Sequence, residues 1–270
     1  MEIIRSTKNL ELKKMLILYK KSRERKKQGL FIIEGEREII NALKAKYIIE
    51  RIFLEEGVSF INNNINDALK NSRTSVIEKK TFKKISIRSG GEKIIAVTRS
   101  KSHELKALKL SKKSLIVVLE EPEKPGNIGA LYRTAAAAKI DAIIISNPKT
   151  DFYNPNSIRS SLGDIFKIPT AVASNENVLS FLKKREFNIL TTFIKLNAVK
   201  YDECEYQLPC ALVIGSESEG LSNFWSKEAF ENLVIPMAKT SNSLNLSVSA
   251  GILIYEAIRK NKKLDKNAIL

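Results

Sequence analysis

Three stretches place polar side chains where a chain can do chemistry. The first is "LEEPEKPGNIGALYRTAAAAKIDAIII", Leu119 to Ile145, which runs from an apolar segment through a loop and a helix into a second apolar segment. It presents Asn127 and Arg133 on the entry to the helix. A dinucleotide cradle needs G-x-G-x-x-G, whereas Gly126 and Gly129 stand three apart with no third glycine, and the Gly-Lys-Ser/Thr of a P-loop is absent. The loop therefore points to a site built from polar side chains. The second stretch is "VIGSESEGLS", Val213 to Ser222. It leaves a buried strand at Gly215, carries Ser216 and Glu217, and turns again at Gly220, so a ligand can approach the backbone. The third, "VIPMAKTSNSLNLSVSAGILIYEAIR", stops a strand at Pro236, continues through a polar loop, and enters a helix opened by Ser243 and Asn245. Ser247, Ser249, Ala250 and Gly251 follow early in that helix and would let another backbone pack closely. Taken singly, each loop is also ordinary punctuation, and Ser243 or Asn245 serves equally well as a plain N-cap.

The elements that must position these loops are continuous apolar runs: "LIVVL", "AIIIS", "NILTT", "ALVIG" and "LVIP", mostly separated by helical stretches. Runs of this kind belong to a parallel sheet covered on both faces. In such a sheet ligands sit beyond the carboxyl ends of the strands, where these loops emerge. Before them lies a small α/β sandwich: a helical segment from Asn9 to Lys27, the strand "LFIIE", a helix over about Glu36 to Ala45, a strand around Arg51 to Leu54, and a closing strand "KIIAVTR". The spacing divides the chain into residues 1–105, a linker 106–113 within the lysine-rich "KSHELKALKLSKK", and a body 114–270.

Charge separates these parts. The 270 residues carry a formal net charge of +16, and residues 1–105 hold 24 Lys/Arg against 13 Asp/Glu. A basic domain favours an acidic partner, nucleic acid first and an anionic membrane surface second. The run "YKKSRERKKQG" supplies Lys20, Lys21, Arg23, Arg25, Lys26 and Lys27 as a phosphate-binding surface, with a solvated helix end as the plainer reading. Two cysteines, Cys204 and Cys210, and one histidine, His103, give no C-x-x-C pair and no metal cluster, so no metal is expected. Reduced thiols, no signal peptide and no apolar run of about 18 residues point to a cytoplasmic protein.

Taken together, "NIGALYRTA", "IGSESEGLS" and "IPMAKTSNSLNLSVSAGILIYE" resemble the SpoU/TrmH family of RNA ribose methyltransferases, within the SPOUT class of knotted enzymes. The resemblance spans about Leu115 to Arg259. The segment "IRSSLGDIFKIPTAV" is similar to the piece between the family's first two motifs, with "SSLGD" where small residues are usual, and "FIIEGEREIINAL" is similar to the ribosomal-protein-like substrate-binding domain of many members. The resemblance implies an α/β SPOUT domain, with a mostly parallel sheet and a deep trefoil knot, preceded by a small α/β RNA-binding domain. It implies S-adenosylmethionine held by Gly215, Ile235 and Leu244, with Thr192, Ser216, Glu217, Gly220 and Met237 as neighbours. It implies a homodimer in which Arg133 reaches the partner's cofactor, and attack of a ribose 2′-OH helped by Arg133, Asn127, Glu217, Ser243 and Asn245. Arginine is a permanent cation, so Arg133 stands either as activating base or as a grip on phosphate and developing alkoxide. Large-subunit rRNA is the expected substrate and tRNA the second, with a housekeeping or a resistance role equally open. Two further readings fit the residues less well. A non-catalytic RNA or ribosome binder would leave the three polar loops without a purpose, and a nucleotide-dependent oxidoreductase lacks its glycine fingerprint.

Overall fold

Helix α1 (Leu10–Lys20) shows how local sequence sets this architecture. Asn9 caps it by accepting from the N–H groups of Glu11 and Leu12, and Leu12, Met15 and Leu18 line its buried side. In the computed structural model, which describes residues 3–87, 91–193, 198–240 and 243–261, the chain divides into two units: Met1–Ser102 with Asp151–Lys167, and His103–Thr150 with Ile168–Leu270. The elements of the first run in the order β1 (Ile3–Ile4), α1, α2 (Ser22–Gln28), β2 (Leu30–Glu34), α3 (Glu36–Lys44), β3 (Ile49–Glu55), α4 (Asn63–Asn71), β4 (Arg73–Ile77), α5 (Lys79–Ile85) and β5 (Ile94–Arg99). The helix expected from Asn9 to Lys27 is broken: Lys21 is extended and separates α1 from α2.

The sheet of this unit has the order β1-β4-β3-β5-β2, with β5 antiparallel to its neighbours β3 and β2. Alternation along the strands sends Ile32, Phe53, Ile77, Ile95 and Val97 to one face, where they meet Leu12, Met15 and Leu18 of α1 and Phe82 and Ile85 of α5. The segment Asp151–Lys167, distant in sequence, also belongs to this unit. Tyr153 stacks on Phe31 with ring centroids 4.1 Å apart, and Phe166 meets Tyr47 edge-on at 5.1 Å. Gly163, at φ +80°, brings the segment so close to α3 that an added Cβ would lie 3.0 Å from the Glu38 Cα.

The second unit contains β6 (Leu115–Glu120), α6 (Pro125–Ala137) and β7 (Ala142–Ser146). After α7 (Pro155–Ser160), which lies in the first unit's segment, come β8 (Thr170–Ala173), α8 (Asn175–Lys184), β9 (Asn188–Thr191), β10 (Val199–Lys200), β11 (Cys210–Ile214), α9 (Asn223–Ser226), β12 (Glu231–Val234) and α10 (Leu246–Asn261). Every pairing in its sheet is parallel, in the order β10-β12-β9-β11-β6-β7-β8. The central strands β6, β7 and β11 are buried along their whole length, as continuous apolar runs require. Helix α10 packs on α6, and Trp225 is fully buried in the core between sheet and helices. The order β12-β9-β11-β6 sets the carboxyl ends of four strands side by side, and from these ends the three polar loops leave.

Candidate active site

Strand β11 ends at Ile214 and its loop folds back on itself at once. The Ser216 N–H donates to the Gly220 carbonyl at 2.9 Å, and the Gly220 N–H returns to the Ser216 carbonyl at 3.2 Å. Gly220 turns the chain at φ +69°. The returning backbone runs over Gly215, where an added Cβ would sit 2.0 Å from the Gly220 carbonyl carbon and 2.1 Å from the Leu221 nitrogen. Only glycine fits there.

The loop's acidic side chain ties it to the loop after β6. Glu217 Oε1 accepts from Asn127 Nδ2 at 2.7 Å and from the Lys124 N–H at 3.4 Å, and Oε2 accepts from the Glu123 N–H at 3.2 Å. Asn127 Oδ1 accepts in turn from Asn245 Nδ2 at 3.0 Å. Asn245 caps α10, since its Oδ1 accepts from the Ser247 N–H at 2.9 Å and from the Ser247 hydroxyl. One hydrogen-bonded chain, Glu217–Asn127–Asn245, thus joins all three loops singled out by the sequence.

Beside this chain lies a cavity of about 400 Å³, within the range of small-molecule sites. Thr192, Gly215, Ser216, Glu217, Gly220, Ile235, Met237 and Leu244, the residues expected to hold the cofactor, all line it, and so does Ser243. The sequence reading missed Ile214, Leu233, Val234 and Leu246, which give it an apolar wall, and Ser218, Glu219 and Ser249. An apolar slot rimmed by hydroxyls and two carboxylates suits a ligand with a flat heterocycle, a hydroxylated sugar and a cationic sulfur. Asn127, Arg133 and Asn245 are not among the lining residues. Arg133 lies exposed on α6 and, among the described residues, has no hydrogen-bond or ion-pair partner.

The sequence reading also missed a buried anchor. Glu120, at the carboxyl end of β6, is 1% exposed. It accepts from the Ser222 N–H at 2.7 Å, the Ser222 hydroxyl at 2.5 Å and Asn175 Nδ2 at 2.5 Å, while Asn175 Oδ1 accepts from the Ser146 hydroxyl. Burying a carboxylate is costly unless its lone pairs are satisfied, and here three donors satisfy them. The cavity loop is thus pinned at its far end, Ser222, to the end of β6. A carboxylate directly after an apolar strand was the available signal.

In the first unit, Lys20, Lys21, Arg23, Lys26 and Lys27 are exposed. Arg25 corrects the expectation of a phosphate-binding group: it is 5% exposed, its Nε donates to Asp151 at 2.5 Å, and Nη1 donates to the Leu18 and Tyr19 carbonyls. Buried and engaged through Nε and Nη1, it does not stand with the exposed cations of the run. His103 Nδ1 lies 3.1 Å from the Thr170 carbonyl, so the lone histidine is engaged with the backbone. Among the described residues no group of His, Cys, Asp and Glu could hold a metal ion, and no helix is long and apolar enough to cross a membrane.

With this geometry in place, comparison with known proteins places the chain. The SpoU rRNA methylase family matches residues 114–255, and an MRM3-like substrate binding domain matches residues 9–96. A 23S rRNA (guanosine(2553)-2′-O)-methyltransferase of Bacillus subtilis is 27% identical over 94% of this chain and 98% of that protein. A crystal structure of an RNA 2′-O ribose methyltransferase superposes with a TM-score of 0.82 at 34% identity, covering 97% of this chain and 100% of that one. The methyltransferase AviRb of Streptomyces viridochromogenes, solved in complex with AdoMet, shares the fold, with a TM-score of 0.84 at 23% identity over 95% of this chain and 100% of that one. Since the family match takes in more than half of the residues, the chain belongs to the SpoU rRNA methylase family.

Proposed function

We propose that the protein transfers a methyl group from S-adenosylmethionine to a ribose 2′-hydroxyl of large-subunit ribosomal RNA, at the cavity beyond β9, β11 and β12. It is an RNA 2′-O-methyltransferase that uses S-adenosylmethionine, as its family membership and the named activities of its relatives support. The observation that carries the assignment of the site is the Glu217–Asn127–Asn245 chain, which ties the motif loops together at the cavity's edge. Bound there, S-adenosylmethionine supplies an electrophilic methyl group on a positively charged sulfur.

The residues around the cavity do the remaining work. Gly215, Ile235 and Leu244 admit the ligand against the backbone, with Thr192, Ser216, Gly220 and Met237 around it. Glu217 and Asn127 fix the loop geometry, and Asn245 and Ser243 hold the entry of α10. Arg133 grips the phosphate next to the target ribose and stabilises negative charge growing on O2′ as its proton passes to solvent water. A guanidinium is a permanent cation, which favours this role over that of a base.

Arg133 is exposed and lies outside the cavity lining of its own chain, which supports a homodimer where it serves the partner's site. The exposed apolar side chains of Leu244, Val248 and Tyr255, 37%, 50% and 47% accessible, offer a face for such a partner. Family membership supports a trefoil knot around the cavity loops. Residues 1–105 act as the RNA-binding domain, with Lys20, Lys21, Arg23, Lys26 and Lys27 as phosphate contacts, residues 106–113 as linker and 114–270 as the methyltransferase domain, in the cytoplasm where ribosomes are made.

Titration calorimetry tests the cofactor site. S-adenosylmethionine or its demethylated product should bind with one site per chain and NAD should not. Folded protein that takes up neither at millimolar concentration would refute the assignment.

A further inference from the structure

The sheet of the first unit separates two surfaces of different charge. α1 and α5 share one face, because Leu12, Met15, Leu18, Phe82 and Ile85 meet the same strand residues in one core. α3 and α4 pack on each other and bury Ile39, Ala42, Ile65 and Ala68, none of which enters that core. The α3 and α4 helices are close to balanced: Glu36 and Asp67 stand against Arg37, Lys44 and Lys70, while Glu38 is buried. The α1/α5 layer is not. Besides the exposed cations already named on α1 and α2, α5 carries Lys79, Lys80, Lys83 and Lys84, all exposed.

These four lysines have no ion-pair partner among the described residues. The acidic groups on this layer are few and engaged: Glu11 meets Lys14 and Arg51, Glu24 accepts from Gln28, and Glu78 accepts from Thr81. Within α5, Lys79 faces Lys83 and Lys80 faces Lys84 one turn on, and the first turn holds no acidic residue. Like charges at that spacing weaken a helix, and cations at its start oppose its dipole. Among the described residues of the unit, Glu78 at the N-cap position of α5 is the one acidic group set against this arrangement, and it faces four lysines. A polyanion laid over the layer would offset the rest.

We propose that the α1/α5 face of the first unit is the surface on which RNA backbone lies, and that Lys79, Lys80, Lys83 and Lys84 are phosphate contacts in addition to those of α1 and α2. This rests on the reading of the protein as an rRNA methyltransferase and adds the face and the residues by which it takes its substrate. The side chains are lysines without neighbouring base-reading groups, so the contact is with phosphate and carries position without sequence.

The test uses the full-length protein and a fragment of large-subunit rRNA, with the binding constant followed from 50 to 200 mM salt. One variant replaces the four α5 lysines by glutamine; a control replaces Arg37, Lys44 and Lys70 on α3 and α4. Each lost phosphate contact lowers the log–log slope by about 0.7 to 0.9, so the α5 variant should lose about 3 units of slope. Across that fourfold salt range the wild type should then weaken roughly 60-fold more than the variant. The control should keep the wild-type slope, and both variants should keep their circular dichroism and S-adenosylmethionine affinity. A slope unchanged in the α5 variant, or lost equally in the control, would overturn the assignment of the face while wild-type methylation of rRNA leaves the enzymatic reading intact. Wild-type protein that neither binds nor methylates rRNA would overturn both.

Discussion

Replacing Gly215 by alanine should disable the cavity loop, and the structure sets the scale. The new methyl carbon would lie 2.0, 2.1 and 2.2 Å from three backbone atoms of Gly220 and Leu221. Backbone cannot rotate away as a side chain can. To reach ordinary contact at about 3.5 Å, the returning strand of the loop must retreat by roughly 1.5 Å. That breaks the reciprocal pair between Ser216 and Gly220, about 1 kcal/mol for each hydrogen bond. It also strains the loop's anchor at Ser222 and adds an overpacking cost of about 1 to 3 kcal/mol. A total of about 3 to 5 kcal/mol corresponds to a fall in the thermal midpoint of about 6 to 20 °C. A misplacement on the 1 Å scale costs about 100-fold in turnover, so kcat/KM should fall at least that far. Gly220→Ala is the contrasting variant: its φ of +69° strains an alanine, but no atom lies within 4 Å of the added carbon. It should lose only about 1 to 2 kcal/mol. Differential scanning calorimetry and cofactor titration read both, and RNA binding by the first unit should be unaffected. If Gly215→Ala melts and binds cofactor like wild type, the close crossing is not a feature of the molecule and the reasoning fails.

Three further outcomes follow from particular contacts. A double-mutant cycle on Asn127→Ala and Glu217→Ala, read as cofactor affinity and turnover, should show a coupling of about 1.5 to 3 kcal/mol, because the hydrogen bond has a charged acceptor; additive effects would deny the link. Asp151→Asn should cost about 3 to 5 kcal/mol in urea unfolding by stranding the buried Arg25, whereas Arg25→Met combined with Asp151→Leu should recover much of it; equal losses would show the pair is not effectively buried. Mixed dimers of Arg133→Ala and Asn245→Ala chains should regain about a quarter of wild-type activity, since half the dimers are mixed and each has one intact site; verified heterodimers as inactive as their parents would refute a shared site, provided Asn245→Ala keeps its fold after losing a cap of about 1 kcal/mol.

The strands of the second unit were readable because a parallel sheet buried on both faces demands continuous apolar runs, and β6, β7, β9 and β11 have them; β12, Glu231–Val234, begins two residues before the run "LVIP" and ends inside it. β8 was not read as a strand: Thr170–Ala173 follows a proline and has two alanines among its four residues. β10 is only two residues long. The three polar loops could be chosen because glycine, serine and asparagine cluster where strands end, but residue types carry no distances, and the bridge between Glu217 and Asn245 through Asn127 is a fact of folding. The place of Asp151–Lys167 in the first unit was illegible for the same reason. Its determinants, Phe31 against Tyr153 and Arg25 against Asp151, pair residues more than a hundred positions apart. Arg25 was misread because a run of cations looks uniform in sequence, while the turn of α2 sends this one member inward. Gly251 was expected to permit close packing of backbone, yet a Cβ there would meet Thr134 at 3.7 Å, an ordinary contact.

Ribose methylation of rRNA is read out by alkaline hydrolysis. A 2′-O-methyl group removes the nucleophile that cleaves the RNA chain, so each modified position survives as an alkali-stable dinucleotide. Purified protein incubated with large-subunit rRNA and methyl-labelled S-adenosylmethionine should place its label in one such dinucleotide, and Arg133→Ala should abolish it. Label recovered in mononucleotides would mean methylation of a base, and no label in rRNA from a folded, cofactor-binding protein would contradict the account.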